Sequence, residues 1–172
     1  MKKYAHFETE RLILQPTTEE DAGFILALLN SPKWLEYIGD RNVHTEEDAI
    51  QYIKNKISPQ LEKLGFGNYT LIRKSDGLKI GSCGLYDREG VEGIDIGFAL
   101  LPPFEGLGYG FESASKVLEI GRTVFNLERF SAITTKNNLA SQRLIEKLGL
   151  RYIEKIRIPN DEEELLLYRL EY

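Results

Sequence analysis

The chain has 172 residues, 42% hydrophobic and 28% charged, which is ordinary for a soluble globular protein and long enough for one domain with one sizeable core. Its net charge of −5 lacks the basic footprint of a nucleic-acid binder and mildly favours a cationic partner. No apolar run approaches the ~18–20 residues of a membrane-spanning helix, so no membrane association is expected.

The N-terminal run Met1-Lys2-Lys3-Tyr4-Ala5-His6 has no signal-peptide apolar region, and a cytoplasmic location is expected. Arg11-Leu12-Ile13-Leu14 reads as a short strand ended by Pro16. Thr17-Thr18-Glu19-Glu20 has a capping-box pattern, and Ala22, Ile25, Leu26 and Leu29 follow at helical spacing. Asn30-Ser31-Pro32 breaks that helix. Trp34, Leu35, Tyr37 and Ile38 then form a short aromatic segment before Gly39-Asp40. Thr45, with Glu46, Glu47 and Asp48 in the first turn, starts a second helix that continues through Ala49, Tyr52, Ile53 and Ile57. Pro59 predicts a break or kink, although Leu61 and Leu64 keep the apolar spacing.

From Gly67 the texture changes to strands over 68–73, 79–86 and 93–101. Their links, Ser75-Asp76-Gly77 and Arg88-Glu89-Gly90, carry turn residues with glycine and predict antiparallel hairpins. The single cysteine, Cys83, cannot form an internal disulfide, which fits a reducing compartment, and in a strand it reads as a packed side chain. His6 and His44 are far apart and have no cysteine partners, so no metal is expected. A helix over 109–124, a strand over 129–134, a helix over 139–148 with Gly149 as its C-cap, and strands over 152–158 and 164–172 complete the chain. The order β-αα-βββ-α-β-α-ββ describes one mixed α/β domain over residues 1–172.

The most informative stretch is Glu105-Gly106-Leu107-Gly108-Tyr109-Gly110-Phe111-Glu112, between a strand and a helix. Such a turn sets bare backbone N–H groups at the positive end of a helix, a ready site for phosphate or pyrophosphate. Glycine-rich turns also occur where nothing binds. A P-loop needs Lys-Ser/Thr after its last glycine, and Phe111-Glu112 follows here. A dinucleotide fingerprint needs G-x-G-x-x-G early in a βαβ unit, whereas this G-x-G-x-G lies past the middle of the chain. A nucleotide-dependent kinase or dehydrogenase is therefore not expected.

The second informative block, residues 135–150, contains Asn138, Ser141, Glu146, Lys147 and Gly149. Together with the glycine turn it closely resembles the GNAT N-acetyltransferases, in particular the branch that includes the ribosomal-protein N-terminal acetyltransferases of the RimJ/RimL type. The resemblance runs from Glu10-Arg11-Leu12 to the final strand. It implies a central, mostly antiparallel sheet with helices on both faces, acetyl-CoA as co-substrate, and a primary amine as acceptor. The family's loop has the form Q/R-x-x-G-x-G/A. The resemblance implies that Gly106, Leu107, Gly108, Tyr109, Gly110 and Phe111 cradle the pyrophosphate of coenzyme A. Glu105 departs from the usual Arg or Gln and sets a carboxylate beside the expected phosphates. Glu112 reads as helix-start support.

By the same resemblance Asn138 and Ser141 line the pantetheine arm, with Lys147 also at the donor site; Asn138 is equally a good helix N-cap. Many members carry a Tyr acid one place before the Glu of this block. Here that place is Ile145, which leaves Ser141 as the nearest hydroxyl, or no acid at all. Strand 94–101 is implied to splay from its neighbour, so that Phe98, Ala99 and Leu100 pair with the pantetheine as an added strand. Asp95 lies where the family often has an acid and is the candidate base, acting through water; a structural carboxylate is the alternative. The acceptor is expected beside Trp34, Tyr37, Ile38 and Tyr86, under the final hairpin loop. That loop's Asp161, Glu162, Glu163 and Glu164 form either an acidic mouth or a solvated charge run. Two functions stay open, an N-acetyltransferase and a catalytically idle acyl-CoA-binding sensor. The edge strands allow a homodimer.

Overall fold

The structure is a computed structural model that describes residues 3–172; Met1 and Lys2 of the N-terminal run lie outside the described residues. Eight strands form one sheet: β1 (Phe7–Glu8), β2 (Leu12–Pro16), β3 (Asn68–Arg73), β4 (Lys79–Tyr86), β5 (Ile94–Leu100), β6 (Arg129–Thr135), β7 (Arg151–Ile156) and β8 (Leu165–Glu171). Their spatial order is β1-β2-β3-β4-β5-β6-β8-β7. Every neighbouring pair is antiparallel except β5–β6, which pairs in parallel only at Ile94↔Phe130 and Asp95↔Ser131. Beyond Asp95 the two strands part, leaving the β6-facing edge of β5 without a neighbouring strand.

Successive side chains point to opposite faces of the sheet, and their polarity decides what covers each face. Leu14, Leu71, Leu85, Ile96 and Phe130 share one core with Val117 of α5 (Tyr109–Thr123) and Ile145 of α6 (Leu139–Lys147). At about 1.5–3 kcal/mol for each large side chain buried, that cluster fixes α5 and α6 on the sheet. The opposite face carries Asn68, Thr70, Ser82 and Asp95, all buried and polar. Thr70 Oγ1 donates to Asp21 Oδ2 at 3.2 Å, and Lys79 Nζ donates to Asp21 Oδ1 at 2.7 Å. On this side lie α1 (Ala22–Leu29), α2 (Pro32–Tyr37), α3 (Glu46–Tyr52) and α4 (Ser58–Leu64), with a smaller apolar cluster built on Ile25, Leu29, Ala49 and Ile53. Among the described residues no helix is long and apolar enough to cross a membrane.

The local differences from the sequence expectations have simple causes. The strand expected from Arg11 onward is β2, and it does end at Pro16, its last residue, paired with Tyr69; the two-residue β1 precedes it. The reciprocal acid of the first capping pattern is Asp21, whose Oδ2 accepts from Thr18 N at 2.9 Å, one place later than Glu20. The aromatic segment is a helix, because Pro32 occupies its first turn, where a missing N–H leaves nothing unmet. Thr45 caps α3 as expected, accepting from Asp48 N at 3.0 Å. At Pro59 the chain continues rather than ends: residues Ile53–Ile57 widen into a π-helical turn just ahead of it.

Candidate active site

A cleft of about 290 Å³ opens where β5 leaves β6. Phe98, Ala99 and Leu100 of β5 form one side of it. Glu105, Gly106, Gly108, Gly110 and Phe111 border it from the turn into α5, and Asn138, Ala140, Ser141, Leu144 and Lys147 from α6. Ser31, Lys33, Trp34, Tyr37 and Ile38, at and around α2, close the remaining side. A larger hollow, about 470 Å³, lies near Gly93, Leu127, Arg129 and Tyr172. Its Arg129 is already engaged with Glu92 and Glu171.

The turn's glycines are there for geometric reasons. Gly106 and Gly108 have φ of +73° and +87°, a region that costs an L side chain roughly 1–2 kcal/mol. A Cβ on Gly106 would meet nothing within 4 Å, so the turn presents an open, unfilled surface. Gly110 lets α5 approach α6, since a Cβ there would come within 3.1 Å of Leu144 Cδ2.

Behind the turn stands an anchor that the sequence did not disclose. Glu112 accepts from Thr9 Oγ1 at 2.5 Å, Arg11 N at 3.1 Å and Arg11 Nε at 2.8 Å. Burial works against its ionisation, but the bonds from Thr9 and Arg11 prevail and hold the carboxyl below the usual range. Arg11 also donates to the Leu107 carbonyl at 3.1 Å and lies 4.1 Å from the Tyr109 ring centroid. Leu107 and Tyr109 accordingly do not line the cleft: one side chain is exposed, the other packs in the core. Glu112 does more than support a helix start, because it ties the β1–β2 turn to α5.

On α6, Asn138 Oδ1 accepts from Ser141 N at 3.2 Å, so Asn138 caps the helix and borders the cleft at once. Ile145 is 1% exposed and belongs to the main core, so its position offers the cleft nothing. Lys147 Nζ rests 4.1 Å above the Phe111 ring.

Asp95 sits at the apex of the fork, in the last β5–β6 pair, and is 1% exposed. Arg88 Nε donates to its Oδ2 at 2.7 Å, while Oδ1 is buried with no partner. Burial pushes the carboxyl up to about 6 in spite of the guanidinium. Asp95 does not line the cleft. Between it and Ala99 lies Gly97, covered by the Tyr86 ring: a Cβ there would be 3.0 Å from Tyr86 Cε2. Tyr86 thus backs the strand instead of bordering the cleft. Its hydroxyl donates to Asn68 Oδ1, and burial raises it well above the ordinary phenol range. Cys83 is fully buried, and burial pushes its thiol up to about 12, consistent with a packed side chain.

None of Asp161, Glu162, Glu163 and Glu164 borders the cleft. Their loop packs on the β4–β5 turn, where a Cβ on Gly90 would come within 2.7 Å of Pro159. Sequence reasoning also missed Ser31, Lys33, Ala140 and Leu144 as cleft residues. Lys33 Nζ donates to Glu105 Oε2 at 2.9 Å, joining α2 to the glycine turn. Nothing local to Lys33 announces a partner so distant in the chain.

The profile of the acetyltransferase (GNAT) domain matches residues 11–151. An uncharacterized N-acetyltransferase of Bacillus subtilis (strain 168), YoaA, is 30% identical over 145 residues, which cover 84% of this chain and 81% of that one. Among solved structures, the ribosomal-protein-S5-alanine acetyltransferase of Vibrio fischeri superposes with a TM-score of 0.80 at 16% identity, covering 97% of this chain and 96% of that one. RimL, a ribosomal L7/L12 α-N-protein acetyltransferase solved in complex with coenzyme A, gives a TM-score of 0.82 at 15% identity, covering 97% and 98%.

Proposed function

This chain belongs to the GNAT acetyltransferase family, and from that premise we propose that it transfers an acetyl group from acetyl-CoA to a primary amine by direct attack in a ternary complex. The observation that carries the proposal is the fork. β5 and β6 pair at two positions and then part, beside a glycine turn at the start of a 15-residue helix. The features of coenzyme A fit the residues present. An extended, amide-bearing arm suits the unpaired edge of β5 at Phe98, Ala99 and Leu100, as an added strand. A pyrophosphate suits the N–H groups of residues 106–110, where Gly106 leaves room. Asn138, Ser141, Phe111 and Lys147 border the same cleft.

When bound, acetyl-CoA supplies an acetyl group activated as a thioester. The chain supplies the rest. The β5 edge holds the donor in register and offers N–H groups to a carbonyl oxygen. Trp34, Tyr37 and Ile38 give the acceptor an apolar wall that excludes water and fixes its approach. Asp95 is ionised above pH about 6, and its Oδ1, untouched by Arg88, takes a proton from the amine through intervening water. The roughly 13 Å between Asp95 and Ala99 along the strand makes that relay necessary. Ser141 Oγ is the hydroxyl closest in role to a leaving-group acid, and a thiol of pKa about 8.5 departs tolerably near neutral pH without one.

The likeness in fold to ribosomal-protein acetyltransferases makes a protein N-terminal amine the first acceptor class to try, ahead of small amines. Calorimetric titration with acetyl-CoA and CoA, with ATP and NAD as controls, followed by thiol-release assays on an amine panel, tests the proposal. Micromolar acetyl-CoA binding with release on one amine class is expected. Binding without release on any amine favours the sensor, and no CoA binding removes the donor site altogether.

A further inference from the structure

We infer that Lys33 of α2 is the cation that contacts the donor's phosphates, held at the mouth of the glycine turn by Glu105, an inference that rests on the donor site proposed above. The glycine turn gathers N–H groups for an anion, yet the side chain that opens it is a carboxylate. An isolated carboxylate there repels phosphate. Lys33 removes the conflict: its Nζ lies 2.9 Å from Glu105 Oε2, and both residues border the cleft.

Two other cations lie nearby. Arg11 is bound to Glu112 and the Leu107 carbonyl behind the turn. Lys147 rests on the Phe111 ring. Lys33 alone among these three both borders the cleft and touches the carboxylate at the turn. An ammonium carries three donors, so Lys33 can keep Glu105 and still offer N–H groups to a phosphate oxygen. Stability does not account for the pair. Lys33 is 55% exposed, and ion pairs this exposed contribute little to folding.

The placement couples the two halves of the site. Lys33 lies in the first turn of α2, next to Trp34 on the acceptor wall. A donor phosphate that takes up Lys33 therefore also fixes the helix against which the acceptor packs.

Titration of CoA into the wild type, Lys33→Met and Lys33→Arg, at low and high sodium chloride, tests the inference. At low salt Lys33→Met should bind CoA about 10-fold more weakly and Lys33→Arg within about 3-fold of wild type, as for loss or retention of one charge-assisted contact. At high salt the gap between Lys33→Met and wild type should close, because the Debye length shrinks from about 10 Å at 0.1 M to about 3 Å at 1 M. Two results overturn it: unchanged CoA affinity in Lys33→Met at low salt, or a loss that is the same at both salts, as a purely structural role gives. Failure of the wild type to bind CoA overturns the donor site itself, before Lys33 is altered.

Discussion

Arg88 engages only one side of Asp95: its Nε meets Oδ2 at 2.7 Å, and Oδ1 stays buried without a partner. A carboxylate so arranged is held in orientation by the guanidinium and keeps one oxygen available for a proton. The pair spans the β4–β5 turn, so the hairpin that ends beside the fork also sets the candidate base.

The pH dependence of the rate follows from that pair. Burial raises the Asp95 carboxyl to about 6, so kcat/KM should show a rising limb near pH 6, apart from the limb set at higher pH by the amine's own ionisation. Asp95→Asn should remove the limb near pH 6 and lower kcat by about 10²–10⁴-fold. A variant that keeps both the limb and the rate would show that Asp95 is structural only.

Stability should move in the opposite sense. The folded state holds the Asp95 proton more tightly than the unfolded chain, whose carboxyl titrates near the ordinary 3.8. The stabilisation from the protonated form is complete below that value and is lost as pH rises through about 6. Asp95→Asn escapes the loss, so its melting temperature relative to wild type should be higher at pH 8 than at pH 4. Thermal melts at the two pH values check the sign.

At the glycine turn, Gly106→Ala should cost roughly 1–2 kcal/mol in stability from its left-handed φ alone, since its methyl meets no protein atom. The methyl occupies the open surface of the turn, so CoA affinity should fall by a further ~10-fold or more. Unchanged CoA affinity would place the phosphates elsewhere.

The two roles of Asn138 are separable. Asn138→Ala removes the bond to Ser141 N and should destabilise by about 1 kcal/mol, a melting shift of about 2–4 °C for a chain of this size. Asn138→Ser restores a cap. If donor KM stays raised in Asn138→Ser after stability recovers, the side chain touches the donor; if both recover together, Asn138 is only a cap.

Glu112→Gln should destabilise the fold at neutral pH by about 2 kcal/mol, through the bonds from Thr9 and Arg11. The carboxyl is held below its ordinary range, so its contribution is present above that range and lost as pH falls through the folded value. Denaturation at a series of pH values from 7 downward should show the difference between Glu112→Gln and wild type shrinking as the carboxyl protonates.

What the sequence disclosed was local. Strands 68–73 and 79–86 are short runs bounded by turns that carry glycine, and they begin and end where expected. The glycine turn and the Asn138–Ser141 cap are likewise encoded in consecutive residues. What escaped depends on pairs far apart in sequence: Lys33 with Glu105, Glu112 with Thr9 and Arg11. β1 escaped because two residues are too few for a period. Tyr86 was expected to face the acceptor, but alternation along β4 sets it over Gly97, where only the neighbouring strand reveals which neighbour it covers.

The brevity of the β5–β6 ladder also has a mechanical side. Two register pairs join a five-stranded panel to a three-stranded one, so the sheet has a seam, braced from one face by α5 and α6. Flexing concentrates at such a seam, because few backbone hydrogen bonds resist it there. A ligand laid along β5 would act as a batten across the gap, stiffening the panels against each other. Amide exchange along residues 96–100 should then report occupancy of the fork directly, slowing as the seam is closed from within.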